Sequence, residues 1–327
     1  MWAVEFRRWA DQTFLTYPEW FLVFAPQNQA DFLNDNTNTN YPYLADTAGI
    51  WQSYKIMYDQ IKDKYNFNWW YHLMVFVIWI SSSVEYNLKS FYELIIWNIT
   101  DTNIPETTED KSYAKFANNY VNFIYDIPWY EFDFWKQLKD FNSWNTFFWD
   151  HFFRKTERKV IINFELFAKY IYSKIIKVWT KWVYSPALPT TIVLLDKNPE
   201  DIHNTGKYSE LNIKNIKLIK EIKNSKWEKL YLVSLPRYDQ FKDYSSFLAL
   251  NNIKFIEIAW NKWDIVISII VKNQLVLKEK INILFTQNIV TKKGTKRITF
   301  TTKVSNLSNI LKTITNNNIY LEHVFDY

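Results

Sequence analysis

Glycine is almost missing from this chain: 3 residues in 327, where ordinary usage would place roughly 23. The shortage restricts backbone shape, because glycine is the residue that adopts positive φ without steric cost. Neither GxGxxG nor GxxxxGK[ST] occurs, so the glycine loops of Rossmann and Walker phosphate sites are excluded. Tryptophan, by contrast, is abundant at 17. Glycine and tryptophan together come close to a normal glycine complement.

Two readings of that imbalance stay open. The abundance of Asn, Lys, Ile, Phe and Tyr fits AT-rich codons, under which aromatic residues accumulate by drift. Such genomes are also where UGA is reassigned, and UGA codons meaning glycine would appear here as tryptophan. Trp260 and Trp263 sit between two strand-like runs, where a tight turn favours residues tolerant of positive φ. Trp227 occupies a polar loop before a strand, and a small residue at Trp79 would allow close helix contact. Trp20 and Trp129 stand beside prolines and read as genuine aromatics.

With 48% hydrophobic and 22% charged residues the composition is globular. No cysteine is present, which excludes disulfides, thiolate zinc sites and cysteine nucleophiles. Charge divides the chain sharply. Residues 1–150 carry 10 Lys+Arg and 19 Asp+Glu, a net of −9; residues 151–327 carry 29 and 15, a net of +14.

The expected fold class is α+β: an acidic, aromatic-rich helical domain over 1–185, then a basic α+β domain over 186–327. In the first part, short helices flank a turn at Thr16-Tyr17-Pro18-Glu19, with Pro26 opening the helix Gln27 to Leu33. Longer helices are expected at 45–64, 68–98, 106–125 and 152–184, with a shorter one near 129–141. Thr107 and Thr108 before Glu109 and Asp110 mark a helix start. In the second part, strands fall at 190–195, 230–235, 253–259, 263–271, 281–290, 295–304 and 319–326. Helices fall at 238–250 and 306–316, and 209–224 reads as an amphipathic helix or basic spacer. The hairpin turns at Lys292-Lys293-Gly294-Thr295. The order matches a ferredoxin-like sandwich on a mostly antiparallel sheet, with an added hairpin strand.

The helix at 152–184 carries the clearest pattern. Ile161, Ala168, Ile175 and Trp182 recur every seven residues, with Phe164, Ile171 and Val178 interleaved. Lys155, Lys159, Lys169, Lys174, Lys177 and Lys181 fall on the other face, expected to be a solvated surface or a contact with anionic lipid. Residues 66–84 lack Asp, Glu, Lys and Arg, but their serines, asparagines and His72 argue for a buried core helix rather than a membrane span. No signal peptide is evident. The localisation expected is cytoplasmic, with membrane association through the lysine-bearing helix.

Chemistry is sparse. His72, His151, His203 and His323 form no metal-binding spacing, and neither a metal nor a cofactor is expected. His323 alternates with the apolar face of the last strand and reads as a core histidine. Glu85 and Glu165 lie on apolar helices, each with a lysine at i+4, Lys89 and Lys169. Arg154, Lys155, Arg158 and Lys159 cluster at a helix start, where the macrodipole disfavours cations, which points to an acidic partner within the chain. The function expected is that of a non-enzymatic interaction protein, meeting a protein partner or an anionic membrane surface. An enzyme with Glu85, Glu93, Glu165 and His72 converging between two long helices is the alternative. Nucleic-acid binding by the basic C-terminal part ranks last, since no RNP1-like run is present.

Overall fold

The computed structural model describes residues 12–64, 66–67, 69–99, 107–143, 152–183, 189–202, 208, 210–223, 227–272, 281–289 and 291–326. It is an α+β protein whose N-terminal part is helical and whose C-terminal part holds two antiparallel four-stranded sheets. Packing divides the chain into two compact units. One comprises Met1–Glu19, Gln52–Asn68 and Ala187–Tyr327; the other comprises Trp20–Trp51 and Trp69–Pro186.

Six helices precede the strands: α1 (Gln12–Leu33), α2 (Tyr43–Ile61), α3 (Trp69–Ile99), α4 (Thr108–Ile124), α5 (Phe134–Ser143) and α6 (Phe152–Val183). The largest departure from the sequence reading is α1, which runs unbroken through Pro18 and Pro26 where a turn was expected. An interior proline costs about 3 kcal/mol. Phe14, Tyr17, Phe21 and Phe24 recur at helical spacing and are all buried, and burial of each side chain contributes roughly 1.5–3 kcal/mol in the other direction. At α4 local chemistry and sequence agree. The Thr107 hydroxyl accepts from the Asp110 amide (3.2 Å), and the Asp110 carboxylate accepts from the Thr107 amide (3.0 Å), a reciprocal capping box.

The strands are β1 (Thr190–Leu195), β2 (Lys217–Lys223), β3 (Lys229–Pro236), β4 (Phe255–Ile258), β5 (Asp264–Lys272), β6 (Asn282–Asn288), β7 (Thr295–Lys303) and β8 (Tyr320–Val324). Helix α7 (Asp239–Leu250) joins β3 to β4, and α8 (Leu307–Asn316) follows β7. The expected helix or spacer at 209–224 is instead a short turn followed by β2, an edge strand paired to β3. Its lysines suit an exposed edge that must resist pairing with other chains.

The strands form two sheets, ordered β2-β3-β1-β4 and β6-β7-β5-β8, rather than one. Each sheet has the same plan: three strands, a helix, then a last strand placed against the first. Residues 190–258 and 264–324 are thus two copies of one strand–strand–strand–helix–strand unit. In each copy a split β-α-β element encloses an antiparallel strand, β1 in one and β5 in the other. The duplication escapes the sequence because the copies share burial pattern and order, not residues. A single core serves both, with Val193, Val233, Phe241, Phe247 and Phe255 from the first copy and Ile267, Phe300, Ile310 and Leu311 from the second.

Three of the suspect tryptophans gain a backbone context. Trp227 (φ 63°) and Trp260 (φ 68°) occupy the left-handed region, whereas Trp263 is not among the positive-φ residues. Trp79 lies within α3, wholly buried, its ring edge-on to Trp51 at 5.7 Å.

Candidate functional site

The carboxylates singled out from sequence lie along the contact between α3 and α6. These helices pair antiparallel, since their cross-links rise in number along α3 as they fall along α6. Tyr172 donates to the Ser81 hydroxyl at 3.2 Å, Lys169 meets Glu85 at 3.0 Å, Lys89 meets Glu165 at 2.8 Å and Arg158 meets Glu93 at 2.6 Å.

Glu85 and Glu165 come together, but not as a free carboxylate pair. Lys89 Nζ lies 2.9 Å from Glu85 Oε1 and 2.8 Å from Glu165 Oε1. Lys169 Nζ lies 3.0 Å and 3.1 Å from the same two atoms, closing a ring of alternating charge. The Tyr113 hydroxyl donates to Glu165 at 2.9 Å. Burial works to raise both carboxyls. The two ammonium groups outweigh it, holding Glu85 down to about 2 and Glu165 below the usual carboxylate range. Against its own burial, Lys89 is held well above its ordinary value by Glu165 and Glu85. All four groups stay charged near neutrality, so neither glutamate is poised to exchange a proton at working pH.

Glu93 belongs to a second cluster. Both its oxygens accept from Arg158, at 2.6 and 2.7 Å, and Arg158 is only 1% exposed. The Thr39 hydroxyl donates to Glu93 at 2.9 Å and accepts from Arg154 at 3.1 Å. Glu157 accepts from Arg154 at 3.1 Å and from the Tyr92 hydroxyl, and lies 3.2 Å from Arg158. The basic cluster that looked misplaced at a helix start is neutralised by acids of α3 and α6. His72 is buried on α3, and burial lowers its pKa. It lies thirteen positions from Glu85, roughly 20 Å along the helix, so it does not join the glutamates. Among the described residues, no group of His, Asp and Glu is placed to hold a metal ion.

The lysines of α6 are not its outermost face. Lys169 belongs to the charge ring, Lys177 pairs with Glu131, Lys155 and Lys159 are half-buried, and Lys174 is exposed. The Lys181 side chain lies outside the described residues, as do His151 and His203. What points away from the core is apolar. On α6 it is Phe153, Val160, Phe164, Phe167, Ile171, Ile175 and Val178; on α3 it is Leu73, Val77, Ile80, Val84, Leu88, Phe91 and Ile95. Leu88 is 63% exposed and Phe164 is 68% exposed. Opposite them, α3 buries Val75, Trp79, Ser83, Tyr86 and Glu93, while α6 buries Arg158, Ile162, Leu166 and Ser173. The pair is therefore polar where the helices meet and apolar on its outer side, the reverse of an ordinary surface helix. No helix among the described residues is long and apolar enough to cross a membrane.

The sheet-forming unit has its own buried polar group, which sequence reading missed. Arg297 of β7 donates to both oxygens of Glu322 on β8 at 2.7–2.9 Å, and the Ser268 hydroxyl of β5 donates to Glu322 at 2.6 Å. His323 is fully buried against Phe325, and burial holds its pKa well below 6.5. A depression of about 380 Å³ in the same unit is lined by Asp196, Lys197, Asn198, Lys229 and Tyr231, with none of the candidate acids. Comparison with known protein families, curated proteins and solved structures finds no match to the chain.

Proposed function

We propose that this protein works by attachment rather than by catalysis, docking on a partner through the outer faces of α3 and α6. One observation carries the reading: two parallel stripes of exposed apolar side chains on cross-linked helices. Together they amount to on the order of 1,000 Å² of apolar surface, against roughly 300–600 Å² for the largest patch on a typical soluble monomer. Patches of that size mark interaction sites. The ionised state of Glu85 and Glu165 supports attachment over acid–base chemistry, because both carboxylates are occupied by lysines.

The test is gel filtration of the purified chain with and without a mild non-ionic detergent. The expected wild type binds detergent or self-associates without it. The variant Val84→Glu, Leu88→Glu, Val160→Glu, Phe164→Glu is expected to run as a detergent-free monomer. A wild-type monomer that takes up no detergent would overturn the reading.

A further inference from the structure

The docking role proposed above leaves the partner open, and the charge layout around the apolar face narrows it. Across Trp69–Ile99 the charged side chains are Glu85, Lys89 and Glu93. Each is turned into an ion pair with α6. The outer stripe from Leu73 to Ile95 runs for roughly 33 Å without a charge. Protein interfaces carry polar groups at their rims and a hydrogen bond for every 100–200 Å² or so, and this stripe offers little to satisfy them.

The border of the stripe is basic. Helix α6 carries eight Lys and Arg (154, 155, 158, 159, 169, 174, 177, 181) against two Glu (157, 165), a net of +6. By helical angle, Lys159, Lys174 and Lys177 line the flank of α6 away from α3, beside the outward apolar residues. From there a lysine stem lies along apolar surface while its ammonium group reaches a polar layer. A second copy of the chain is a poor occupant, because a two-fold pairing brings the same patch against itself and sets lysine flank against lysine flank. A crossing helix is also a poor fit, since no described helix is long and apolar enough.

We infer that the occupant is the surface of an anionic lipid bilayer. The helix pair lies in the plane of the interface, with Val84, Leu88, Val160 and Phe164 among the acyl chains and the α6 lysines at the headgroups. Apolar insertion and lysine attraction act together, as for in-plane amphipathic helices.

The experiment is flotation of the full-length protein with vesicles of phosphatidylcholine alone or mixed with phosphatidylglycerol, at low and high salt. Wild type should float with the mixed vesicles at low salt, and several-fold less with phosphatidylcholine or at high salt. Leu88→Glu with Phe164→Glu should abolish flotation while the thermal melt is retained. Lys159→Gln with Lys174→Gln should lose the preference for phosphatidylglycerol. Equal flotation on both vesicles at all salts would overturn the anionic assignment. Failure to float, with detergent uptake or self-association still lost in the four-glutamate variant, would overturn the bilayer and leave a protein partner on the same face. Failure to float with no detergent uptake would instead remove the docking role itself.

Discussion

Lys89 of α3 stands 2.8 Å from Glu165 of α6, and this contact joins two glutamates and two lysines into one neutral ring inside the helix pair. Removing one member strands the others. Lys89→Met is expected to destabilise the helical unit by about 2–3 kcal/mol, toward the lower side of the cost of breaking a buried pair, because the ring is partly hydrated. The double change Lys89→Met, Glu165→Leu should cost less than the two single changes added. Urea denaturation of the three variants measures both.

The ring also fixes a pH response. Glu85 and Glu165 titrate lower in the folded chain than their ordinary 4.5. The unfolded chain therefore binds more protons just below that pH, and stability falls as pH drops from 4.5 toward about 2. The Glu85→Gln, Glu165→Gln variant should show a flatter stability curve across that window, read by denaturant melts at a series of pH values.

In the sheet-forming unit two groups act in opposite senses. His323 titrates well below 6.5, so its contribution to stability is lost as pH falls below 6.5, where the unfolded chain protonates and the folded one does not. Asp326 is pushed up to about 6 by burial, against the pull of Arg237 at 3.4 Å. Between its ordinary 3.8 and 6 the folded chain binds the extra proton, so Asp326 adds stability as pH falls through that window. His323→Leu should remove the acid loss and Asp326→Asn the opposing gain, each visible as a changed slope of unfolding free energy with pH.

Trp227 and Trp260 bear on the glycine shortage. Left-handed backbone costs a side chain with a Cβ roughly 1–2 kcal/mol, and both residues are exposed, with little packing to lose. Trp227→Gly and Trp260→Gly are each expected to stabilise the chain by about 1 kcal/mol. Trp263→Gly should give no such gain, since its φ is not positive. Thermal melts separate the three. If UGA stands at 227 and 260 in the gene, peptide mass spectrometry of native protein should find glycine there.

Much of this architecture was legible residue by residue. The Thr107 to Asp110 start, the Gly294 turn (φ 75°) and the i,i+4 pairs Glu85–Lys89 and Glu165–Lys169 all rest on local rules. Tertiary choices were not. Periodicity divides α6 into an apolar and a basic side but does not say which faces inward. Arg158 and Lys169 turn toward the core because acids on α3 await them, and those partners are 65 and 84 positions away in the chain. The proline turn at residue 18 and the division into two sheets failed similarly, being settled by burial between distant segments.

The central claim is that the outer sides of α3 and α6 are covered when the protein is at work. Since the chain has no cysteine, single cysteines at Leu88 and Phe164, with an exposed control at Lys293, can each be labelled in intact cells with a membrane-permeant maleimide that reacts only in water. The expected result is protection at 88 and 164, full reaction at 293, and equal reaction at all three once detergent has released the partner. Equal labelling of the three positions before detergent would contradict the account.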